Sequence, residues 1–475
     1  MSLMVTLARA EAVRAGRAQP LTTVRHRHLS ERPLVFVPLT AAGEAAAPLG
    51  AMVGTDPAKP QLLTVPQPRD RDLRFAFLAR LADVVLPYLE SYADEVETEQ
   101  RKGEEIEVCA DAPQLLVPSS PGVDYVRLLG RSMRFRRTAE EDPDTPYPAP
   151  PRVPLLGRWF THYAERARTP GSSLLLPMTE LLGRHWATGQ SQLEDQHLGV
   201  LLAWLRGSDP ESVERARDAR GQLLTPPAGP ATDPAFDNRL LAPAAARYDA
   251  GVPGAEDEIR ELLASQLRPT WDAVWEGVAL LRPLPAGAHV AVRWTGDRWS
   301  YTHHRDRVRA GEPPQPRRDD ATTAARKLAS RERAQAELEA GEALDDPLVM
   351  AARRLAGEAF AGTVTGVEMA MSEGRSPRPR PLVWVATEDA PHLDVGGKVY
   401  RAVPGGRTQT AEVVSTSAGV PLPPATRAAG AAPPVPGAAG AAPPDPAAPP
   451  GPPPAAPRST RRTRAVRSCR RRTDC

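Results

Sequence analysis

The chain has 475 residues, 25% of them charged, with a formal net charge of +2. Only four of its 60 basic residues are lysines: Lys59, Lys102, Lys327 and Lys398. That excludes a phosphate-binding loop, because Gly396-Gly397-Lys398 runs into Val399, and a nuclease core with a carboxylate two residues before a lysine, because Pro57, Gln100, Ala325 and Gly396 stand there.

The arginine-, alanine- and proline-rich usage is that of a high-GC bacterial coding style, and the length suggests about two to three domains. With 41% hydrophobic residues the balance is globular, but 54 prolines are about twice the usual share. No apolar run reaches the ~18 residues that span a bilayer. The first residues lack the charge-then-apolar order of a secretory signal. Three cysteines make neither a disulfide framework nor a zinc set, so a cytoplasmic protein is expected.

In chain order, residues 1–18 read as a short amphipathic helix. Pro33–Pro38 and Gln61–Val65 read as strands. Asp72 to Arg101 reads as one long helix, its apolar positions including Phe75, Leu78, Leu81, Val85 and Leu89, with a kink at Pro87. Leu115–Val117 is a buried-strand candidate. Ser120-Pro121 looks like a cap followed by proline at the first helical position, opening a helix to Arg137. An acidic, proline-rich linker spans 139–154. Helices are expected over 155–168, 173–187, 191–206, 256–267 and 269–281, with a proline-rich break at 222–234.

Near 288 the pattern changes. His289–Trp294 and Arg298–Thr302, joined by Thr295-Gly296-Asp297, predict a β-hairpin. Charged helices follow over 321–340 and 347–357. Short glycine-bounded strands at 362–367, 382–385, 398–403 and 411–414 predict a small barrel or curled sheet. Residues 415–457 hold 15 prolines, and Ala428–Pro436 recurs ten residues later as Ala438–Pro446. That composition predicts a disordered tail with polyproline character. Residues 458–475 carry eight arginines against one aspartate, which leaves the other residues at −5. Whether this basic end is a genuine tail or out-of-frame high-GC sequence stays open.

The expected class is therefore α+β: a mainly helical N-terminal body with a few strands, then a β-hairpin and a small barrel-like sheet, then a disordered tail. The expected domains are 1–150, mixed α/β; 151–287, helical; 288–415, β-rich with inserted helices; and 416–475, the tail.

Arg127, Arg131 and Arg134 share a helical spacing that suits a row of phosphates, with Arg136, Arg137, Tyr125 and Phe135 interleaved. The bland alternative is a solvated face paired with the acids of 139–144. The predicted hairpin offers Arg293, Trp294, Arg298, Trp299 and Tyr301 as a base-stacking platform; the alternative is tryptophans packed on the domain behind them. Trp384, Lys398, Tyr400, Arg401 and Arg407 mark the small sheet as a third candidate. His26 with His28, and His303 with His304 and Asp306, have spacings seen at metal sites but lack a second ligand motif. Cys109 has no activating neighbour in the sequence. Trp271 and Trp275, four apart, read as a core stripe.

The reading that follows is a non-catalytic, nucleic-acid-associated accessory or adaptor protein without a cofactor, acting beside a protein partner such as a separate motor enzyme. A protein-interaction scaffold and a metal-dependent hydrolase are the alternatives.

Overall fold

The computed structural model describes residues 3–101, 103–207, 225–372, 376–403, 407–417 and 463–469. They fall into two units, Met1–Met350 and Ala351–Cys475. The expected boundaries after 150 and after 287 both lie inside the first unit.

After helix α1 (Leu3–Ala15), the first unit is organised by a five-stranded mixed sheet. Strands β1 (Leu34–Thr40), β2 (Pro48–Gly54) and β3 (Gln61–Thr64) form an antiparallel meander. Strand β6 (Leu115–Val117) then lies parallel beside β1, and β7 (Leu175–Pro177) parallel beside β6. The order is β3-β2-β1-β6-β7. Between β3 and β6 come helix α2 (Arg71–Glu90) and a hairpin of β4 (Val96–Arg101) with β5 (Glu104–Cys109).

Every residue of β1 is buried, as expected of a strand covered on both faces. Its side chains alternate between two cores. Leu34 and Phe36 join Phe77, Leu81 and Leu89 of α2, Tyr125 and Leu129 of α3 (Ser120–Met133), and Phe160 of α4 (Val153–Ala167). Val35, Val37 and Leu39 face the other way. They meet Leu182 of α5 (Met178–His185), Leu201 of α6 (Leu198–Arg206), and Leu263, Leu267 and Trp271 of a later helix. After the short helix α7 (Ala242–Asp249), that helix is α8 (Ala255–Leu281). Trp271 and Trp275 pack edge to face in the stripe their spacing predicts. The unit is a sheet between two helical layers.

Several expectations change here. The long helix expected over 72–101 stops at Glu90, and its last six residues are strand β4. The helix expected over 173–187 begins as β7. The two helices expected around Pro269 are one, and α2 likewise runs through Pro87.

The largest correction is the predicted hairpin, which is helix α9 (Val290–Arg309). Its buried residues include Val290, Trp294, Asp297, Tyr301 and His304, a spacing of three and four that belongs to a helix face. Asp297, taken as a turn residue, is fully buried. It accepts from Arg166 Nη2 (2.5 Å), Ser172 Oγ (2.8 Å) and the Ser173 amide (2.6 Å). Three long-range donors outweigh the local preference of Gly-Asp for a turn. Helix α10 (Ala321–Asp345) follows, then α11 (Pro347–Leu355).

The second unit holds one five-stranded antiparallel sheet. Its strands are β8 (Thr363–Glu368), β9 (Leu382–Ala386), β10 (Lys398–Val403), β11 (Arg407–Ser417) and β12 (Thr463–Cys469). The order β8-β9-β12-β11-β10 leaves two free edges, so the sheet is open and the barrel expectation does not hold. Thr463–Cys469, expected in the disordered tail, pairs with both β9 and β11. The rest of that expected tail beyond Ser417 lies outside the described residues.

Candidate nucleic-acid interface

The predicted stacking platform is dismantled by the helix that carries it. Trp294 is 7% exposed; its Nε1 donates to Asp111 Oδ1 (2.8 Å) and its ring stacks on His28 at 3.9 Å. Tyr301 is buried and donates to the Leu89 carbonyl (2.6 Å). Arg293 Nη2 donates to the His26 carbonyl (3.0 Å). Arg298 donates to the Cys109 carbonyl (3.0 Å) and to Glu97 (2.8 Å), and Trp299 Nε1 to Glu99 (3.1 Å). These five side chains dock α9 onto the core and onto the β4–β5 hairpin. Trp294 packs against the protein, and Trp299 is half-buried with its Nε1 held by Glu99.

The arginine row on α3 fares differently. Tyr125, Val126, Leu129 and Met133 are the buried stripe of this helix. Gly130 and Gly157 let α3 and α4 cross closely, since a Cβ at Gly157 would stand 2.4 Å from the Arg134 amide. Arg127 is half-buried and paired with Asp124 (3.0 Å). Arg131 is exposed. Arg134, only 5% exposed, is not open to a phosphate. Its Nε and Nη2 donate to the carbonyls of Gln315 (3.0 Å) and Pro316 (3.3 Å). Burial, and after it the neighbouring Arg131 and Arg317 guanidinium groups, lowers its affinity for its proton. Arg134 is a strut that ties the 311–320 loop to α3.

That strut completes a surface drawn from three distant segments. Arg134 and Arg317 lie over the ring of Phe135, 4.7 and 5.1 Å from its centroid. Arg136 lies 5.8 Å from the centroid of Phe75, and Arg71 lies over both Phe75 (4.8 Å) and Tyr147 (4.6 Å). Such separations are those of attractive cation–ring pairs. Acids answer part of the charge: Arg71 pairs with Asp72 (2.9 Å) and Arg137 with Asp142 (2.8 Å). Among the described residues no ion pair is seen for Arg131, Arg136 or Arg317.

By sequence pattern Phe75 is one apolar position of a long helix and Tyr147 part of a linker. Phe75 is only partly buried, and Tyr147 is 72% exposed. Arg317, in a loop, carried no local signal at all. Along the edge runs an open cleft of about 480 Å³ lined by Arg71, Phe75, Thr138, Glu140 and Pro148.

Other candidates resolve into structure. His26 is buried with Nε2 3.8 Å from Asp346, His28 lies under Trp294, and His304 stacks on His162 at 4.2 Å. Among the described residues no three His, Cys, Asp or Glu side chains converge on a point that could hold a metal ion. Cys109 is buried, with Arg305 Nη1 3.0 Å from its sulfur. In the second unit Trp384 is half-buried on β9, while Lys398, Tyr400 and Arg401 are exposed on the edge strand β10.

Open α/β sheets take ligands at the carboxyl ends of their strands. Here that place is filled by the chain itself. The Thr40 amide donates to the Pro230 carbonyl (2.7 Å), the Thr232 amide to the Thr40 carbonyl (3.0 Å), and Ser119 Oγ to the Gly229 carbonyl (3.1 Å).

Fold and surface together describe a mixed α+β protein with an exposed arginine–aromatic face. Compared with known family models, curated proteins and solved structures, the chain matches none. No described helix is long and apolar enough to cross a membrane.

Proposed function

We propose that this protein is a non-catalytic, nucleic-acid-associated accessory protein, working beside a partner enzyme that supplies the chemistry. The observation that carries the reading is a pair of arginine–aromatic clusters at the surface: Arg71 and Arg136 about Phe75, with Arg71 also over Tyr147, and Arg134 and Arg317 about Phe135. Guanidinium groups hold phosphate oxygens, and aromatic rings take base faces. Arg131 extends the row along α3. The earlier candidates Arg127 and Arg134 serve as flank and strut, and the α9 residues drop out of the contact surface.

The test is binding of a labelled oligonucleotide to the full chain and to the Arg131→Ala, Arg136→Ala, Arg317→Ala triple variant. The tail arginines remain in both proteins, so the difference between the two reports on this surface alone. The triple variant should bind at least tenfold more weakly at moderate salt. Equal affinity would place the binding elsewhere and leave this surface to a protein partner.

A further inference from the structure

We infer that the cleft beside Tyr147 is a stacking site for an unpaired nucleobase, so that the strand held by this surface is single. The inference rests on the nucleic-acid reading above and names its ligand. In a duplex the base faces are covered by their neighbours, and a protein meets only backbone and groove edges. An unpaired strand offers flat faces to exposed rings.

Three rings keep exposed surface beside the guanidinium groups that lie against them. Tyr147 is 72% exposed, Phe135 is 38% exposed and Phe75 is partly exposed. Tyr147 is also the only non-glycine residue with positive φ (62°) among the described residues. A bulky residue rarely adopts that conformation, and it persists where the surroundings impose it. Arg71 holds the residue at two points: Nη2 donates to the Tyr147 carbonyl (2.8 Å) while the guanidinium lies against the ring. The ring is exposed, and its two neighbours Arg71 and Pro148 line the cleft.

Charge sorts the two parts of a nucleotide. Asp72 and Glu140 line the cleft, with Arg71, also in the lining, paired to Asp72, so a neutral base with an amino group can donate to Glu140 there. Arg131, Arg136 and Arg317 lie outside the cleft lining, where a backbone would pass. The volume of about 480 Å³ falls in the range that holds small ligands.

The experiment uses the full chain and three probes of about twelve nucleotides, a length within the usual site sizes: a single strand, its duplex, and an abasic strand with the same phosphates. The single strand should bind about tenfold tighter than the abasic one, a stacking contribution of ordinary size. Tyr147→Ala should remove most of that advantage and leave the abasic affinity unchanged, while Tyr147→Phe retains it. Tyr147 is exposed, so its truncation does not threaten the fold. Equal binding of all three probes, unmoved by Tyr147→Ala, would overturn the stacking site and leave the electrostatic reading standing. No binding by any probe would overturn both. An oligoproline peptide that binds through Tyr147 where no strand does would assign the cleft to a protein segment.

Discussion

Asp297 sits with no exposure between Arg166, Ser172 and Ser173, and one carboxylate there joins α9, α4 and the approach to β7. Its removal leaves Arg166, a hydroxyl and an amide without their acceptor. Asp297→Ala should lower unfolding free energy by about 3 kcal/mol, the scale for breaking a buried charge pair. Denaturant unfolding measures this, and a loss below about 1 kcal/mol would mean that water replaces the carboxylate. The buried histidines set a second expectation. Burial first, with nearby Arg158, Arg307 and His303, holds His304 at about 3; burial likewise holds His185 at about 4. An unfolded imidazole takes its proton near 6.5. As pH falls below ~6.5 the unfolded chain binds protons that the folded chain refuses. Stability therefore drops by about 1.4 kcal/mol per pH unit for each such histidine, down to pH ~4 for His185 and ~3 for His304. Above ~6.5 these groups add no pH dependence. His304→Gln should flatten the acid limb of the thermal midpoint by one histidine's share. An unchanged slope would show that His304 titrates normally.

At the scale of elements, legibility followed locality. Leu34–Thr40 and Leu115–Val117 could be read as strands because both are short apolar runs, buried on all sides. Strand β2 could not be read, because Pro48 and Gly50 look like turn residues. Gly50 is needed there because a Cβ would stand 2.4 Å from the Leu63 carbonyl oxygen. Helix α9 was misread because aromatic, β-prone residues flank Gly296-Asp297, whereas its true period appears only when Trp294 and Tyr301 are counted seven apart. The α3 arginines were visible as a spacing. Their aromatic companions were not, because Phe75, Tyr147 and Arg317 come from three segments that only the fold assembles. The α3–α4 crossing gives its own test. Gly157→Ala places a methyl 2.4 Å from the Arg134 amide and 2.7 Å from Met133 Cβ. Backbone on one side cannot yield cheaply, so a cost of about 1–3 kcal/mol is expected. A thermal midpoint that stays within a degree of the parent would show that the helices separate without strain.

For the whole molecule, the net charge of +2 understates the local fields. Arginine accumulates where α3, the start of α2 and the loop after α9 meet, while the hairpin β4–β5 carries the glutamates that anchor α9. The sheet's carboxyl ends, the usual ligand position, are closed by Ala228–Thr232, so the open chemistry of the first unit lies on its helical face. In the proposed function Arg131, Arg136 and Arg317 neutralise phosphates there. The direct measurement is the dependence of oligonucleotide affinity on salt. For a single strand each phosphate contact contributes about 0.7 to the slope of log affinity against log salt. The triple alanine variant should bind with a slope shallower than the parent's by about 2. Parallel lines for the two proteins, whatever their affinities, would contradict the account.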